Sequence, residues 1–188
     1  HDFYFTIGEN VGKPGCSIPH SGIHWRPTRP PVVLSEWPLA ETSGPFRFTT
    51  IANWRNAYGP VEFGGRTFGL KVHGFRKLIE LPAGGNAAFE IALNIHPADH
   101  KDRAALVASG WRDTDPREAA RPPDRFRRYV QDSAAEFSVA QGLYVDTHSG
   151  WFSDRTVRYL ASGKPALVQD TGFSEVYPVG VGLVPFRT

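Results

Sequence analysis

Hydrophobic positions along this chain gather into short runs separated by glycine and proline, and successive runs switch between strand-like and helix-like spacing. Phe46-Arg47-Phe48-Thr49-Thr50-Ile51-Ala52 is aromatic and β-branched and stops at Asn53-Trp54, which predicts a buried strand. From Gly69 to Leu81, the apolar residues Leu70, Phe75, Leu78 and Ile79 alternate with charges at near-helical spacing, and Pro82 with Gly84-Gly85 ends the predicted helix. Residues 87–95 (AAFEIALNI) predict the next strand, and residues 101–109 (KDRAALVAS) a helix closed by Gly110. After a polar, proline-rich stretch the pattern predicts a helix over 125–131, a short strand over 135–139, a helix over 153–162 and a strand over 165–169 (PALVQ). Gly163 takes the place just past the 153–162 helix, where a left-handed residue closes the last turn, and Pro165 follows it. Strands alternating with helices through short connections predict an α/β fold, a Rossmann-like parallel sheet with helices on both faces.

The first 45 residues have another texture. Residues 3–7 (FYFTI) read as one strand ended by Gly8, followed by a Gly-, Pro- and Asn-rich loop over 9–19. Residues 26–38 (RPTRPPVVLSEWP) carry four prolines around Val32-Val33-Leu34, which predicts an extended linker with a strand-like centre. The expected organisation is a remnant of a preceding domain with an interdomain linker over 1–45, then one α/β domain over 46–188. The chain starts at His1, contains no methionine, and stops at Phe186-Arg187-Thr188 just after a loop-like Gly-Pro stretch. A piece of a larger protein, with the 46–188 domain cut short at its end, is the expectation.

Composition narrows the classes. A net charge of +2 leaves no electrostatic case for nucleic acid. The one dense basic cluster, Arg121 to Arg128 (RPPDRFRR), reads as the solvated start of a helix. The single cysteine, Cys16, excludes an internal disulfide and a multi-cysteine metal site; it reads as an unreactive thiol and fits a reducing cytoplasm. His20, His24, His73, His96, His100 and His148 lack the spacing of a metal cluster, so no metal is expected. No apolar run approaches membrane-spanning length, and a soluble, cytoplasmic protein without a membrane span is the expectation.

In an open parallel sheet, ligands bind at the carboxyl ends of strands, where loops pass into helix N-termini. The most informative such loop is Ser149-Gly150-Trp151-Phe152-Ser153-Asp154-Arg155: Gly150 permits close backbone approach, and Ser153 or Asp154 can cap the helix whose first amides face the crevice. A diphosphate is the guest such an arrangement suits. A capped helix behind a buried Trp-Phe pair is the plain structural alternative for the same string. Ala161-x-Gly163-x-Pro165 and the loop Asp170-Thr171-Gly172-Phe173 follow at fixed distance.

Residues 149–182 resemble the donor-site segment of GT-B retaining glycosyltransferases, whose pattern runs Glu-Gly-Phe-Gly, helix, Ala-x-Gly-x-Pro, strand, small-residue loop. The words Ser-Gly-Trp-Phe-Ser-Asp-Arg and Gln-Asp-Thr-Gly-Phe are similar to those of a bacterial glycosyltransferase-like group. The resemblance implies transfer of a sugar from a nucleoside-diphosphate sugar to an unidentified acceptor, without cofactor or metal. It implies that Lys71, in Gly69-Leu70-Lys71, contacts the donor phosphates, that Asn53 closes the first strand beside them, and that Ser149, Gly150, Ser153, Asp154, Arg155, Thr171 and Gly172 surround the sugar nucleotide. The family's glutamate pair falls on Gly150 and Arg158, so neither carboxylate is present; Asp154, one turn earlier, is either the replacement or simply a helix cap. Residues 1–45 resemble the end of the N-terminal Rossmann domain, with the loop Gly8-Glu9-Asn10-Val11-Gly12 facing the interdomain cleft; the resemblance implies that the acceptor, and often the catalytic base, belong to that domain, most of which is missing here, and no catalytic residue is assigned. A non-catalytic binding or scaffold domain of the same shape, and a sugar-nucleotide epimerase of similar fold, are the alternatives. On the first reading Arg155→Ala lowers nucleotide affinity far more than folding stability.

Overall fold

A computed structural model describes residues 2–42, 44–55 and 58–188. Its strands are β1 (Tyr4–Thr6), β2 (Trp25–Pro27), β3 (Arg47–Asn53), β4 (Val61–Phe63), β5 (Arg66–Phe68), β6 (Ala88–Asn94), β7 (Arg112–Thr114), β8 (Ala135–Ser138), β9 (Ala166–Gln169) and β10 (Leu183–Phe186). Its α-helices are α1 (Lys71–Lys77), α2 (His100–Ala108), α3 (Pro116–Ala120), α4 (Pro123–Gln131), α5 (Gly142–Asp146) and α6 (Asp154–Ala161). Six strands form one all-parallel sheet in the order β10-β9-β8-β3-β6-β7, flanked by helices: a Rossmann-like α/β fold. The chain runs outward from β3 through β6 to β7, then returns past β3 to continue outward through β8, β9 and β10. The order therefore reverses between β3 and β8, where such sheets open a crevice at their carboxyl ends.

The two faces of the sheet differ in chemistry. One is apolar and aromatic: Phe48 and Ala52 of β3, Phe89, Ile91 and Leu93 of β6 and Phe137 of β8 pack with Trp54, Trp111, Val72 and Phe75 of α1 and Leu106 of α2. Strand alternation sends Thr49 of β3 and Glu90 of β6 to the other face. There Thr49 Oγ1 meets Ser133 Oγ at 2.6 Å and Tyr159 Oη at 2.7 Å, and Glu90 sits near Arg47 and Arg112. Burial pushes the Tyr159 phenol pKa up, so it serves as a neutral hydrogen-bonding group. Apolar packing holds one layer of helices and buried hydrogen bonds orient the other.

The predicted central elements form with small boundary shifts, and the differences have physical causes. The 69–81 helix is only α1, because Leu78 leaves the helix and the Ile79 carbonyl is taken by Trp111 Nε1 at 2.8 Å. Residues 34–36 are a 3-10 turn where a strand-like centre was predicted; pairing occurs earlier, at β2, which lies parallel to β1. The β4–β5 hairpin, α3, and the edge strands β7 and β10 carry no periodic signal of their own. β10 falls where the pattern read as loop: its hydrogen bonds come from β9. Gly163 has φ 74°, with the Gly163 amide donating to Leu160 O and the Lys164 amide to Tyr159 O, which closes α6 as expected.

The first segment lies against this body. Gly8 bridges Trp151, the Asn10 amide donates to Ser149 O, the Ala40 amide to Ser162 O, and the largely buried Lys164 ammonium to Thr42 Oγ1. Among the described residues no helix is long and apolar enough to cross a membrane.

Candidate functional site

A cavity of about 560 Å³ opens at the carboxyl ends of β3 and β6, beside the point where the strand order reverses. It is lined by Ile51-Ala52-Asn53 with Asn94, by Lys71 and Arg155, and by Pro116, Arg117, Ala120 and Arg121. The volume is within the range of small-molecule sites, roughly 300–1,000 Å³. Four cations line it, and among the described lining residues there is no carboxylate.

Each side chain arrives there for a local reason. Lys71 is the first residue of α1, whose start is held by two side chains: Gln141 Oε1 accepts from the Lys71 amide at 2.7 Å, and His73 Nδ1 accepts from the Leu70 amide at 3.0 Å. Partial burial, reinforced by the Arg155 guanidinium and opposed by Glu136, pushes the Lys71 pKa down to about 7. No ion-pair partner for Lys71, Arg117 or Arg121 occurs among the described residues. Asn53 and Asn94 stand opposite each other in register, and Asn94 Nδ2 donates to Asn53 Oδ1 at 2.9 Å.

Arg155 is the most constrained group. It follows Ser153, whose hydroxyl caps α6 by accepting from the Arg155 amide at 3.2 Å. Its guanidinium donates from Nε to Glu136 Oε1 at 2.6 Å, from Nη1 to Ile51 O at 2.6 Å and from Nη2 to Ser138 Oγ at 2.7 Å, fastening β3 to β8 at the reversal. A guanidinium has five N–H donors, so two remain for the cavity. Glu136 is fully buried and its Oε2 has no partner among the described residues. For Arg155→Ala this changes the expected outcome: among the described residues Arg155 is the one partner of a buried carboxylate, so stability should fall together with any binding.

The structure thus brings Asn53, Lys71 and Arg155 together and places the other predicted residues elsewhere. Ser149, Gly150, Ser153, Thr171 and Gly172 are buried, and their polar atoms are engaged within the protein. Ser149 Oγ donates to Tyr144 O, the Gly150 amide to Thr171 O, and Thr171 Oγ1 to Trp151 O. The Gly172 amide donates to Asp170 Oδ1, and Asn10 Nδ2 donates to both His148 O and Gly172 O. Residues 8–10, 148–153 and 170–174 are one hydrogen-bonded unit that seats the start of α6. Asp154 is 67% exposed and pairs with Arg158 at 2.7 Å, outside the cavity lining. Arg158 and Gly150, where the resembled family has glutamates, therefore serve an outer ion pair and a buried loop.

Arg117, Arg121 and Asn94 are the lining residues the sequence reading passed over. Arg121 was read only as part of a solvated basic cluster. For the two arginines the usable signal is their place on and just past the short helix after β7, hidden because β7 is three polar residues; Asn94 is the last residue of the predicted strand β6. No group of three or more His, Cys, Asp or Glu that could hold a metal ion occurs among the described residues.

Neither a model of a known protein family nor a curated protein sequence matches this chain.

Proposed function

We propose that this chain binds the diphosphate of a nucleoside-diphosphate sugar in the 560 Å³ cavity and supplies the donor side of a glycosyltransferase reaction. One observation carries the reading: Lys71, Arg117 and Arg121, without ion-pair partners among the described residues, line one cavity with Arg155, which Glu136 clamps, at the carboxyl ends of strands in a Rossmann-like sheet. A partly buried ammonium with depressed pKa beside a guanidinium gains stability when an anion enters. In transfer, the bond from the anomeric carbon to the diphosphate oxygen breaks and negative charge builds on that oxygen. Lys71 and the two spare donors of Arg155 would stabilise that charge without rearranging, because α1, Glu136, Ser138 and Ile51 already fix them.

Calorimetric titration with UDP, dTDP, GDP and ADP tests this. Saturable binding of at least one, weakened in Lys71→Met, is the expected result. A folded chain that binds none of the four refutes the reading.

The carboxylate-free lining favours a second reading, nucleotide binding without turnover. Sugar transfer or donor hydrolysis by the full-length protein would exclude it.

A further inference from the structure

The lysines of this chain differ sharply in surroundings. There are five, Lys13, Lys71, Lys77, Lys101 and Lys164. Lys13, Lys77 and Lys101 are exposed. Lys164 is buried and donates its ammonium to Thr42 Oγ1 at 3.1 Å. Lys71 alone among the five lines the 560 Å³ cavity.

A lysine nitrogen is a nucleophile only when neutral, and an ammonium with the ordinary value near 10.4 is neutral in roughly one molecule in a few thousand at pH 7. At Lys71 the surroundings oppose the charged form. No carboxylate lines the cavity among the described residues, and the neighbouring Arg155 guanidinium is held charged by Glu136 at 2.6 Å. Partial burial and that guanidinium bring Lys71 down to about 7, where the amine and the ammonium coexist in comparable amounts.

The same cavity supplies donors for a phosphate. Arg117 and Arg121 line it without ion-pair partners among the described residues, and Arg155 keeps two N–H donors beyond those bound to Glu136, Ile51 O and Ser138. Planar guanidinium groups match phosphate oxygens through paired hydrogen bonds. One cavity thus holds an amine that can be neutral and guanidinium groups that would stabilise a departing phosphate, the two requirements for acyl transfer from an acyl phosphate.

We propose that Lys71 is an acylation site for acyl phosphates, and that its acylation closes down anion binding in the cavity. The lone pair of neutral Lys71 Nζ forms a bond to the acyl carbon. The bond from that carbon to the phosphate oxygen breaks, and its electron pair leaves with inorganic phosphate. The nitrogen releases one proton to solvent or phosphate, and the product is an amide. The amide carries no charge, so the cavity loses its one ammonium. The acylation itself uses the cavity's anion site without requiring that its other ligand be a nucleotide; only the loss of nucleotide affinity rests on the reading above.

The whole chain is incubated with acetyl phosphate at about pH 8, where Lys71 is largely neutral and ordinary lysines are not, and acetylation of each lysine is followed by peptide mass spectrometry. Acetic anhydride, an acyl donor without phosphate, is used in parallel. Lys71 should be acetylated by acetyl phosphate at least about tenfold faster than Lys77 and Lys101, with a rate that levels off above about pH 8 while theirs still climbs. In Arg117→Ala/Arg121→Ala, both exposed positions, the acetyl phosphate rate at Lys71 should fall about tenfold and the anhydride rate stay unchanged. Acetylation of Lys71 no faster than of the exposed lysines overturns the proposal. So does a preference for Lys71 with the anhydride alone, or an acetyl phosphate rate undiminished in the double variant. Nucleotide binding without selective acetylation removes this proposal and leaves the nucleotide reading; selective acetylation in a chain that binds no nucleotide does the reverse.

Discussion

Replacing Arg155 by alanine tests the central joint of the fold. The substitution removes three hydrogen bonds, of 2.6, 2.6 and 2.7 Å, to Glu136, Ile51 O and Ser138. It also leaves Glu136, 0% exposed, with neither carboxylate oxygen partnered, since Oε2 has no partner even with Arg155 present. Breaking a buried ion pair from one side costs about 3–5 kcal/mol, because the remaining charge stays desolvated. Against a typical total stability of about 5–15 kcal/mol this is a large fraction. Urea denaturation followed by tryptophan fluorescence reads it directly. With a urea slope of about 2 kcal/mol per molar, the midpoint should fall by about 2 M at unchanged slope. Arg155→Met with Glu136→Gln should recover about 2 kcal/mol relative to Arg155→Met, because no unpaired charge is left inside. A single-variant midpoint within about 0.5 M of the parent would refute the buried, one-partner description of Glu136.

Other consequences follow from the same geometry. Lys71→Met should weaken nucleotide binding by about tenfold, the loss of one charge-assisted phosphate contact, yet leave the urea midpoint unchanged or raised, since it removes a partly buried ammonium without an ion-pair partner; a lowered midpoint with intact binding contradicts this. Free Lys71 titrates at about 7 and a seated phosphate raises that value. Nucleotide-sugar affinity is therefore fully expressed below pH 7 and falls as pH rises above it, with proton uptake on binding visible as a buffer-dependent calorimetric enthalpy; a flat profile from pH 6 to 9, or one unchanged in Lys71→Met, excludes the lysine. Asn10→Ala leaves the buried Gly172 carbonyl and the neighbouring His148 carbonyl without their side-chain donor. It should cost about 2 kcal/mol and speed hydrogen exchange of the Gly150 and Gly172 amides. Gly163→Ala forces a Cβ into φ 74° and should cost about 1 kcal/mol by thermal denaturation, with no change in nucleotide affinity.

The central strands and the main helices were largely legible because their signals are local. Phe46 to Ala52 and residues 87–95 announce strands by composition, and both form central strands, β3 and β6, of the parallel sheet. Gly163 and Ser153 mark the two ends of α6 through backbone chemistry that depends on no distant residue. Lys71 and Asn53, named through the family resemblance, both line the cavity because each lies at the end of an element that could be read.

Tertiary structure alone decided the rest. β7 and β10 are strands because neighbouring strands supply their hydrogen bonds, and no periodicity in Arg-Asp-Thr or Leu-Val-Pro-Phe demands it. Ser149, Gly150, Thr171 and Gly172 looked like open ligand contacts in one dimension, yet Asn10, 138 or more positions from its two carbonyl acceptors, helps close their loops into a buried unit. Arg155 reads as a free cation until Glu136 is seen beneath it. Arg121 reads as part of a solvated run until the fold brings it, with Arg117, into the lining of the cavity that Lys71 also lines. Sequence by itself determined the central strands and the main helices, because burial periodicity and capping act between near neighbours. Which polar side chains meet was set by the packing of remote elements, because a charge has no partner until the fold brings one within reach.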